Sequence, residues 1–306
     1  MPVTGGSTRG AAYPPDREHA VTLADGRTLG VAEFGAETGR TVLWFHGTPG
    51  ARRQVPPAAR RLARSEHLRV IGVERPGIGQ STPHLYGSVG EFADDIEEIA
   101  ERLAIERFGL VGLSGGGPYV LACAHAMPER IVAGAVLGGV APTRGAEAAA
   151  GGAMRLATPL EPLLNLLREP LGGLFTLAVQ SLEPLADQAF DLYLRFAPAG
   201  DRRVLGDPEI REAFIEDMLL GSRENLRSFV YDLILFSRHW GFSLREIRVP
   251  IHFWQGDEDN LVPPEHAEHL ARLVPGARLV RDPAGGHLAG LEMAQQAFEF
   301  ILSQWD

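Results

Sequence analysis

The chain of 306 residues lacks the sequence features of disulfide-linked, metal-binding and membrane-spanning proteins. Its single cysteine, Cys123, excludes a disulfide framework and a multi-cysteine zinc site. No run approaches the ~18 continuous apolar residues that a membrane span requires, and the first eighteen residues contain no apolar core of a secretory signal peptide. No metal-ligand cluster or cofactor motif is visible either. We therefore expect a cytoplasmic protein that works without metal or cofactor.

Positive charge is also scarce. The chain has 29 Lys plus Arg against 39 Asp plus Glu, a formal net charge of −10. Such a surface repels phosphate backbones and anionic lipid, so nucleic acid and membrane surfaces are disfavoured as partners. The remaining expectation is a monomer or homodimer that binds a small-molecule substrate.

Glycine, in contrast, is abundant. The 36 glycines are about 12% of the chain against a usual ~7%. Glycine adopts backbone conformations that other residues avoid and allows close approach of the backbone to other groups. The sequence therefore predicts many tight turns or close approaches, which composition alone does not locate.

The first half of the chain alternates between strand and helix patterns. An Asp25-Gly26 turn joins two extended runs, 19–23 and 28–34, into a predicted hairpin. A helix is predicted at 89–103, opened by a capping box of Ser88 and Glu91. Short, continuously apolar runs predict four buried strands: Thr41–Phe45, 68–73, Phe108–Leu113 and Ile131–Leu137. This alternation is typical of an α/β protein with a mostly parallel central sheet flanked by helices.

A long segment interrupts this rhythm. From about Pro142 to Arg245 only helical patterns occur, one of them opening at Asp207-Pro208 with an N-cap and a proline in the first turn. Strand character returns at 251–254 and 277–280, and an amphipathic helix closes the chain at 291–302. The predicted organisation is a flexible arm (1–18), an α/β core (19–141 and 246–306) and an all-helical insertion (142–245).

Residues 112–116 read Gly-Leu-Ser-Gly-Gly and fit the pattern G-x-S-x-G. The match follows a buried strand and precedes a helix, the setting in which a sharp turn lifts a serine above the sheet. Flanking glycines avoid clashes in such a strained turn, and the amide of Gly115 can donate to a developing oxyanion. A phosphate-binding loop is the alternative, but its G-x-x-x-x-G-K-[ST] motif is absent. Ser114 is therefore the candidate nucleophile.

A serine nucleophile needs a base and an acid that orients it. Among ten histidines, His287 lies in a Gly-rich loop after the last predicted strand, at the sheet edge where Ser114 is expected. The segment after strand 251–254 offers three carboxylates, Asp257, Glu258 and Asp259, among which residue chemistry alone does not choose. The order serine, acid, histidine is that of the α/β-hydrolases.

Over residues 20–306 the chain resembles a capped α/β-hydrolase. His46-Gly47-Thr48-Pro49-Gly50 matches the HGxPG loop of that family. Residues 74–81 match its D-x-x-G-x-G-x-S loop, with Glu74 in the place of the usual aspartate. The acid of the family stands about four residues before a proline, which selects Asp259.

The resemblance implies roles for particular residues. Ser114 would be the nucleophile, His287 the base and Asp259 its orienting partner. The backbone amides of Thr48 and Gly115 would form the oxyanion hole. His46 and Gly47, in the same loop as Thr48, are further candidates for contact with the substrate.

The function implied is a serine hydrolase that cleaves a small, partly apolar carboxylic ester, thioester or amide through an acyl-enzyme on Ser114. The alternatives are an acyltransferase, a carbon–carbon hydrolase, a perhydrolase, an aminopeptidase or a slow-turnover ligand sensor. The helical insertion would cap the site. Arg52 and Arg53 are expected to be a solvated pair, or else to meet an acidic group of the substrate.

Overall fold

An eight-stranded β-sheet forms the centre of the computed structural model, which describes residues 13–152, 157–223 and 225–305. The strands are β1 (Arg17–Thr22), β2 (Thr28–Gly35), β3 (Thr41–Phe45), β4 (Arg69–Val73), β5 (Phe108–Leu113), β6 (Ile131–Leu137), β7 (Ile251–Gly256) and β8 (Arg278–Asp282). Their order in the sheet is β1-β2-β4-β3-β5-β6-β7-β8. β2 is antiparallel to β1 and β4, whereas all other pairs are parallel. The predicted mostly parallel α/β sheet is confirmed.

Helices cover both faces of this sheet. In chain order, the helices of the described residues are α1 (Pro57–Ser65), α2 (Phe92–Arg102), α3 (Gly117–Ala126), α4 (Glu161–Leu166), α5 (Arg168–Leu182), α6 (Ala186–Phe196), α7 (Ala199–Val204), α8 (Pro208–Ser222), α9 (Arg227–Phe236), α10 (Pro264–Leu273) and α11 (Ala289–Ser303). Phe92 and Tyr119, from α2 and α3, pack against one face. Ala59 and Phe298, from α1 and α11, pack against the other, where Phe298 stacks on Trp44 of β3. Because both faces are covered, the central strands are apolar along their whole length.

The helices α4–α9 are all inserted between β6 and β7. In the described part of 142–245 every regular element is helical, apart from one isolated bridge between Leu226 and Ile78. α8 begins as predicted, because the Asp207 side chain accepts hydrogen bonds from the amides of Glu209 and Ile210. No helix among the described residues is long and apolar enough to cross a bilayer.

Two local predictions were wrong. Glu91 accepts a hydrogen bond from the amide of Gly87, and Ser88 caps no helix amide, so the predicted capping box does not form. The segment Val89–Glu91 is a 3₁₀ turn, and α2 begins only at Phe92. The predicted flexible arm also reached too far, because residues 17 and 18 belong to β1. Residues 1–12 of that arm lie outside the described residues.

Candidate active site

Ser114 sits on a strained turn between β5 and α3. Its φ is +49°, a left-handed conformation that residues with a side chain rarely adopt. The turn is possible because its neighbours have no side chain. A Cβ on Gly112 would lie 2.5 Å from the carbonyl oxygen of Gly116, and one on Gly116 would lie 2.2 Å from that of Phe45. The G-x-S-x-G glycines therefore allow the close packing that lifts the Ser114 hydroxyl above the sheet.

The structure brings the three candidate triad residues into one hydrogen-bonded chain. The Oγ of Ser114 lies 2.9 Å from Nε2 of His287, and Nδ1 of His287 lies 2.8 Å from Oδ2 of Asp259. A carboxylate can only accept, so Nδ1 carries the proton and Nε2 is free to accept from the serine hydroxyl. This is the arrangement in which an imidazole can act as a base toward a serine.

Asp259 is the one of the three candidate acids that faces His287. It is 4% exposed, and its Oδ1 accepts hydrogen bonds from the amides of Leu261 and Val262. The side-chain amide of Gln255 donates to Oδ2, at 3.0 Å. Asp257 instead forms a surface ion pair with Arg281. Sequence reasoning missed Gln255, whose only signal was a polar residue at the end of an apolar strand.

The two residues whose amides were predicted to form an oxyanion hole are in direct contact. A Cβ built on Gly115 would lie 2.1 Å from Oγ1 of Thr48 and 2.9 Å from its Cβ. Gly115 is the second residue of a 3₁₀ turn, Ser114–Gly116, that leads into α3. The first amides of such a turn have no acceptor within it and can donate to an anion. Thr48 and Gly115 thus lie side by side, and Thr48 lines the cavity together with Ser114.

His46 does not line the cavity, contrary to the expectation that it contacts the substrate. Its ring is fully buried, and burial beside the Arg75 guanidinium holds its pKa well below the usual value, so it is neutral. Nε2 accepts a hydrogen bond from the amide of Arg75, at 3.2 Å, so Nδ1 donates to the carbonyl of Gly47, at 2.7 Å. Gly47 itself does line the cavity beside Ser114.

Arg52 and Arg53 are neither a solvated pair nor part of the site. Arg52 is 4% exposed and pairs with Glu18 and with the fully buried Glu74. Arg53 pairs with Glu18 and Glu216. Both guanidinium groups therefore bind β1 through Glu18, and Arg53 also binds the insertion through Glu216. Glu74 is fully buried and is not exposed to substrate.

Three buried aspartates of the insertion bind the loops that carry the candidate site. Asp201, in α7, accepts a hydrogen bond from the amide of Leu288, next to His287. Asp217, in α8, accepts from the amides of Ala51 and Arg53, just after the loop 46–50, the predicted oxyanion loop. Burial raises the pKa of Asp201, and it raises that of Asp217 to about 7. The third, Asp232 in α9, accepts from the hydroxyl of Thr48, at 2.5 Å. Sequence reasoning gave none of the three a role.

A cavity of about 340 Å³ opens above Ser114. Core residues form its floor, and α5, α6 and α8 of the insertion form its apolar wall. The wall includes the side chains of Phe190, Phe214 and Met218, and Leu261 of the core adds to the apolar lining. Among the described residues that line the cavity, only His287 and Tyr193 have an ionisable side chain. Among the described residues no group of His, Cys, Asp or Glu is arranged to hold a metal ion. The site thus offers a serine, an imidazole and an uncharged, apolar pocket.

Comparison with known proteins gives a family and several relatives. The family described as serine aminopeptidase, S33, matches residues 36–289. A proline iminopeptidase of Arabidopsis thaliana is 31% identical over 133 residues, which are 42% of this chain and 34% of that protein. The chain therefore spans only about a third of the length of that relative.

Two further comparisons span almost the whole chain. A 2-hydroxy-6-oxononadienedioate/2-hydroxy-6-oxononatrienedioate hydrolase of Cupriavidus pinatubonensis is 28% identical over 293 residues, 90% of each chain. The structure of a thermophilic esterase from Thermogutta terrifontis superposes with a TM-score of 0.66 at 22% identity, covering 94% of this chain and 97% of that one. At this level of identity, the comparison shows that the two proteins share a fold.

Proposed function

The chain belongs to the serine aminopeptidase S33 family of α/β-hydrolases, and on that basis we propose that it is a serine hydrolase that cleaves a small, neutral, apolar carboxylic ester. The observation that carries the proposal is the chain of hydrogen bonds from Ser114 through His287 to Asp259, opening into an uncharged cavity. The family match supports hydrolysis in general. The apolar wall supports the choice of substrate class.

The reaction would run in two steps through an acyl-enzyme. Ser114 Oγ attacks the ester carbonyl while Nε2 of His287 takes its proton. The carbonyl oxygen becomes an oxyanion that accepts hydrogen bonds from the amides of Thr48 and Gly115. The imidazolium then protonates the leaving alcohol, the C–O bond breaks, and the acyl group remains on Ser114. Water, deprotonated by His287, attacks the acyl carbon and releases the carboxylic acid and the free serine.

The pocket argues against the charged substrates that the relatives' names suggest. An aminopeptidase must hold a free amine, and a dioate carries two carboxylates. Burying either charge without a partner is costly. The described lining residues offer neither a carboxylate for the amine nor a Lys or Arg for the dioate. The cavity volume, near the lower end of ligand pockets, favours a short acyl group.

The test combines covalent labelling with a substrate panel. We expect a fluorophosphonate probe to label the wild-type protein and not Ser114→Ala, and p-nitrophenyl butyrate to be hydrolysed much faster than p-nitrophenyl palmitate. Proline p-nitroanilide should not be hydrolysed. Ser181→Ala, in α5, is a control because the hydroxyl of Ser181 is bonded to the carbonyl of Leu177 within that helix.

Labelling that persists in Ser114→Ala would contradict the assignment of the nucleophile. Turnover of the proline anilide faster than of the esters would contradict the substrate class. Labelling of wild type in a single slow turnover, without steady-state hydrolysis of any ester, would favour a ligand sensor over an enzyme.

A further inference from the structure

The loop that carries Thr48 is held by a buried ion pair between the core and the insertion. Arg75 follows β4, and Asp232 lies in α9. Both side chains are nearly fully buried, and Nη2 of Arg75 lies 2.6 Å from Oδ2 of Asp232. The hydroxyl of Tyr119 donates to the other carboxylate oxygen, at 2.6 Å, and that of Thr48 donates to Oδ2. The carboxylate of Asp232 is therefore fully engaged, as a buried charge requires.

The same guanidinium binds the backbone of the oxyanion loop. Nη1 of Arg75 donates to the carbonyl of His46, at 2.6 Å, and Nη2 donates to the carbonyl of Gly47, at 2.9 Å. His46 Nδ1 donates to the same Gly47 carbonyl. Two donors thus fix the C=O of the peptide that joins Gly47 to Thr48.

Fixing that carbonyl also fixes the amide on the other side of the peptide. In a planar trans peptide the N–H points opposite to the C=O. With the Gly47 carbonyl directed at Arg75, the Thr48 amide is directed away from Arg75. Gly115, which carries the other predicted oxyanion donor, is the residue of the Ser114 turn that the Thr48 side chain contacts.

We propose that Asp232 and Arg75 are positioning residues that orient the Thr48 amide for the oxyanion, so that helix α9 of the insertion takes part in building the oxyanion hole. This rests on the proposed function, because only a reaction through an oxyanion uses that amide. The pair acts through the loop and does not touch the substrate, since neither residue lines the cavity. Asp232 stands alone in the apolar run of α9, Phe229-Val230-Tyr231-Asp232-Leu233-Ile234-Leu235-Phe236, and buried carboxylates are rarely found unpaired.

A second trio of the same residue types provides a matched control. Arg27 donates to both oxygens of Asp95, each at 2.7 Å, and the hydroxyl of Tyr86 donates to the same carboxylate. Asp95 is 6% exposed and lies in α2. Among the described residues, the hydrogen-bond partners of this trio include no residue of the loop 46–50. Asp95→Asn therefore breaks a trio of the same composition, of which only Arg27 is partly exposed, and leaves the hydrogen bonds of the oxyanion loop in place.

The experiment compares Asp232→Asn with Asp95→Asn. For each protein we would measure kcat and KM for p-nitrophenyl butyrate, the melting temperature, and the inhibition constant of 1,1,1-trifluorooctan-2-one. Addition of Ser114 Oγ to this ketone forms a C–O bond and a tetrahedral oxyanion, with the serine proton on His287, so its affinity reports on the oxyanion hole. The matching alcohol, 1,1,1-trifluorooctan-2-ol, forms no oxyanion and reports on the pocket alone.

We expect Asp232→Asn to lower kcat about 10- to 100-fold with KM changed less than threefold. Ketone affinity should fall by a similar factor, and alcohol affinity should not change. Asp95→Asn should lower the melting temperature comparably and leave kcat and ketone affinity within threefold of wild type. Equal kinetic effects of the two variants, or wild-type ketone affinity in Asp232→Asn, would overturn the proposal.

Thr48→Val is the second variant, for use if Asp232→Asn does not fold. It keeps the Thr48 amide and removes the hydroxyl that bonds Asp232 and Arg75. A loss of at least fivefold in kcat with matching loss of ketone affinity supports the proposal, whereas wild-type values overturn it. If the wild-type protein neither hydrolyses esters nor reacts with the fluorophosphonate, the proposed function is wrong. If the wild-type protein is active and Asp232→Asn has the same activity, only the positioning role of Asp232 is wrong.

Discussion

Gly115→Ala should disable the oxyanion hole by a collision that the structure defines. The new Cβ would lie 2.1 Å from Oγ1 of Thr48 and 3.3 Å from the ring of Phe236. Carbon contacts settle near 3.5–4.0 Å, so Thr48 would have to retreat by at least about 1 Å. Its hydroxyl cannot rotate away without losing its hydrogen bonds to Asp232 and Arg75.

A displacement of 1 Å at a reacting centre can cost about 10²-fold, and loss of one oxyanion donor costs about 10²–10³-fold, or roughly 3–4 kcal/mol of barrier. We expect kcat for p-nitrophenyl butyrate to fall within this range, with KM changed less than threefold. The double variant Gly115→Ala/Thr48→Ala removes the oxygen at 2.1 Å and leaves the milder approach of 2.9 Å to the Thr48 Cβ. It should therefore lose less activity than the two single effects predict together. Wild-type kcat in Gly115→Ala, or strictly additive losses in the cycle, would refute the collision.

Three further predictions concern the acid, the insertion and pH. Asp259→Asn should lower kcat about 10³–10⁴-fold, the effect of this change in a serine protease triad, whereas Asp257→Asn, which loses only a surface ion pair, should stay within twofold in the same ester assay. Gly173→Ala, in the middle of α5 with nothing within 4 Å of the new Cβ, should raise the free energy of unfolding by about 0.5–1 kcal/mol in urea titrations with kcat unchanged; a decrease would contradict the open environment. Burial raises the pKa of Asp217 to about 7, so the native state holds a proton that the unfolded state has lost, and stability from this group falls as pH rises from about 4 to 7, by at most about 1.4 kcal/mol per pH unit. The free energy of unfolding of wild type minus that of Asp217→Asn should therefore decrease over that range and level off above it; parallel curves would show that the pKa of Asp217 is not raised.

The central strands were predictable because burial on both faces leaves an unambiguous pattern. The bounds of β3, β5 and β6 coincide with their apolar runs, since parallel neighbours on either side leave no exposed position. β8 at the sheet edge was harder. Its last residues, Arg281 and Asp282, are partly exposed and charged, so the predicted strand at 277–280 ended two residues early.

The residues of the candidate site could be predicted only in part from the sequence. Ser114 and His287 followed from motif and position, but the residues themselves left three acids open, and it was the family resemblance that selected Asp259. Arg52 shows why other assignments failed. Its burial depends on Glu18 and Glu74, which lie 34 and 22 residues away in sequence, and no local pattern reveals such partners.

The three buried aspartates divide the insertion into two parts with different freedom to change. Helices α7–α9 carry Asp201, Asp217 and Asp232, so a replacement there would also disturb the loops of the core. Helices α5 and α6 supply much of the apolar wall and none of these anchors. Substrate range can therefore diverge, by natural variation or by design, through residues 168–196, while a graft of a foreign cap would have to bring its own three carboxylates.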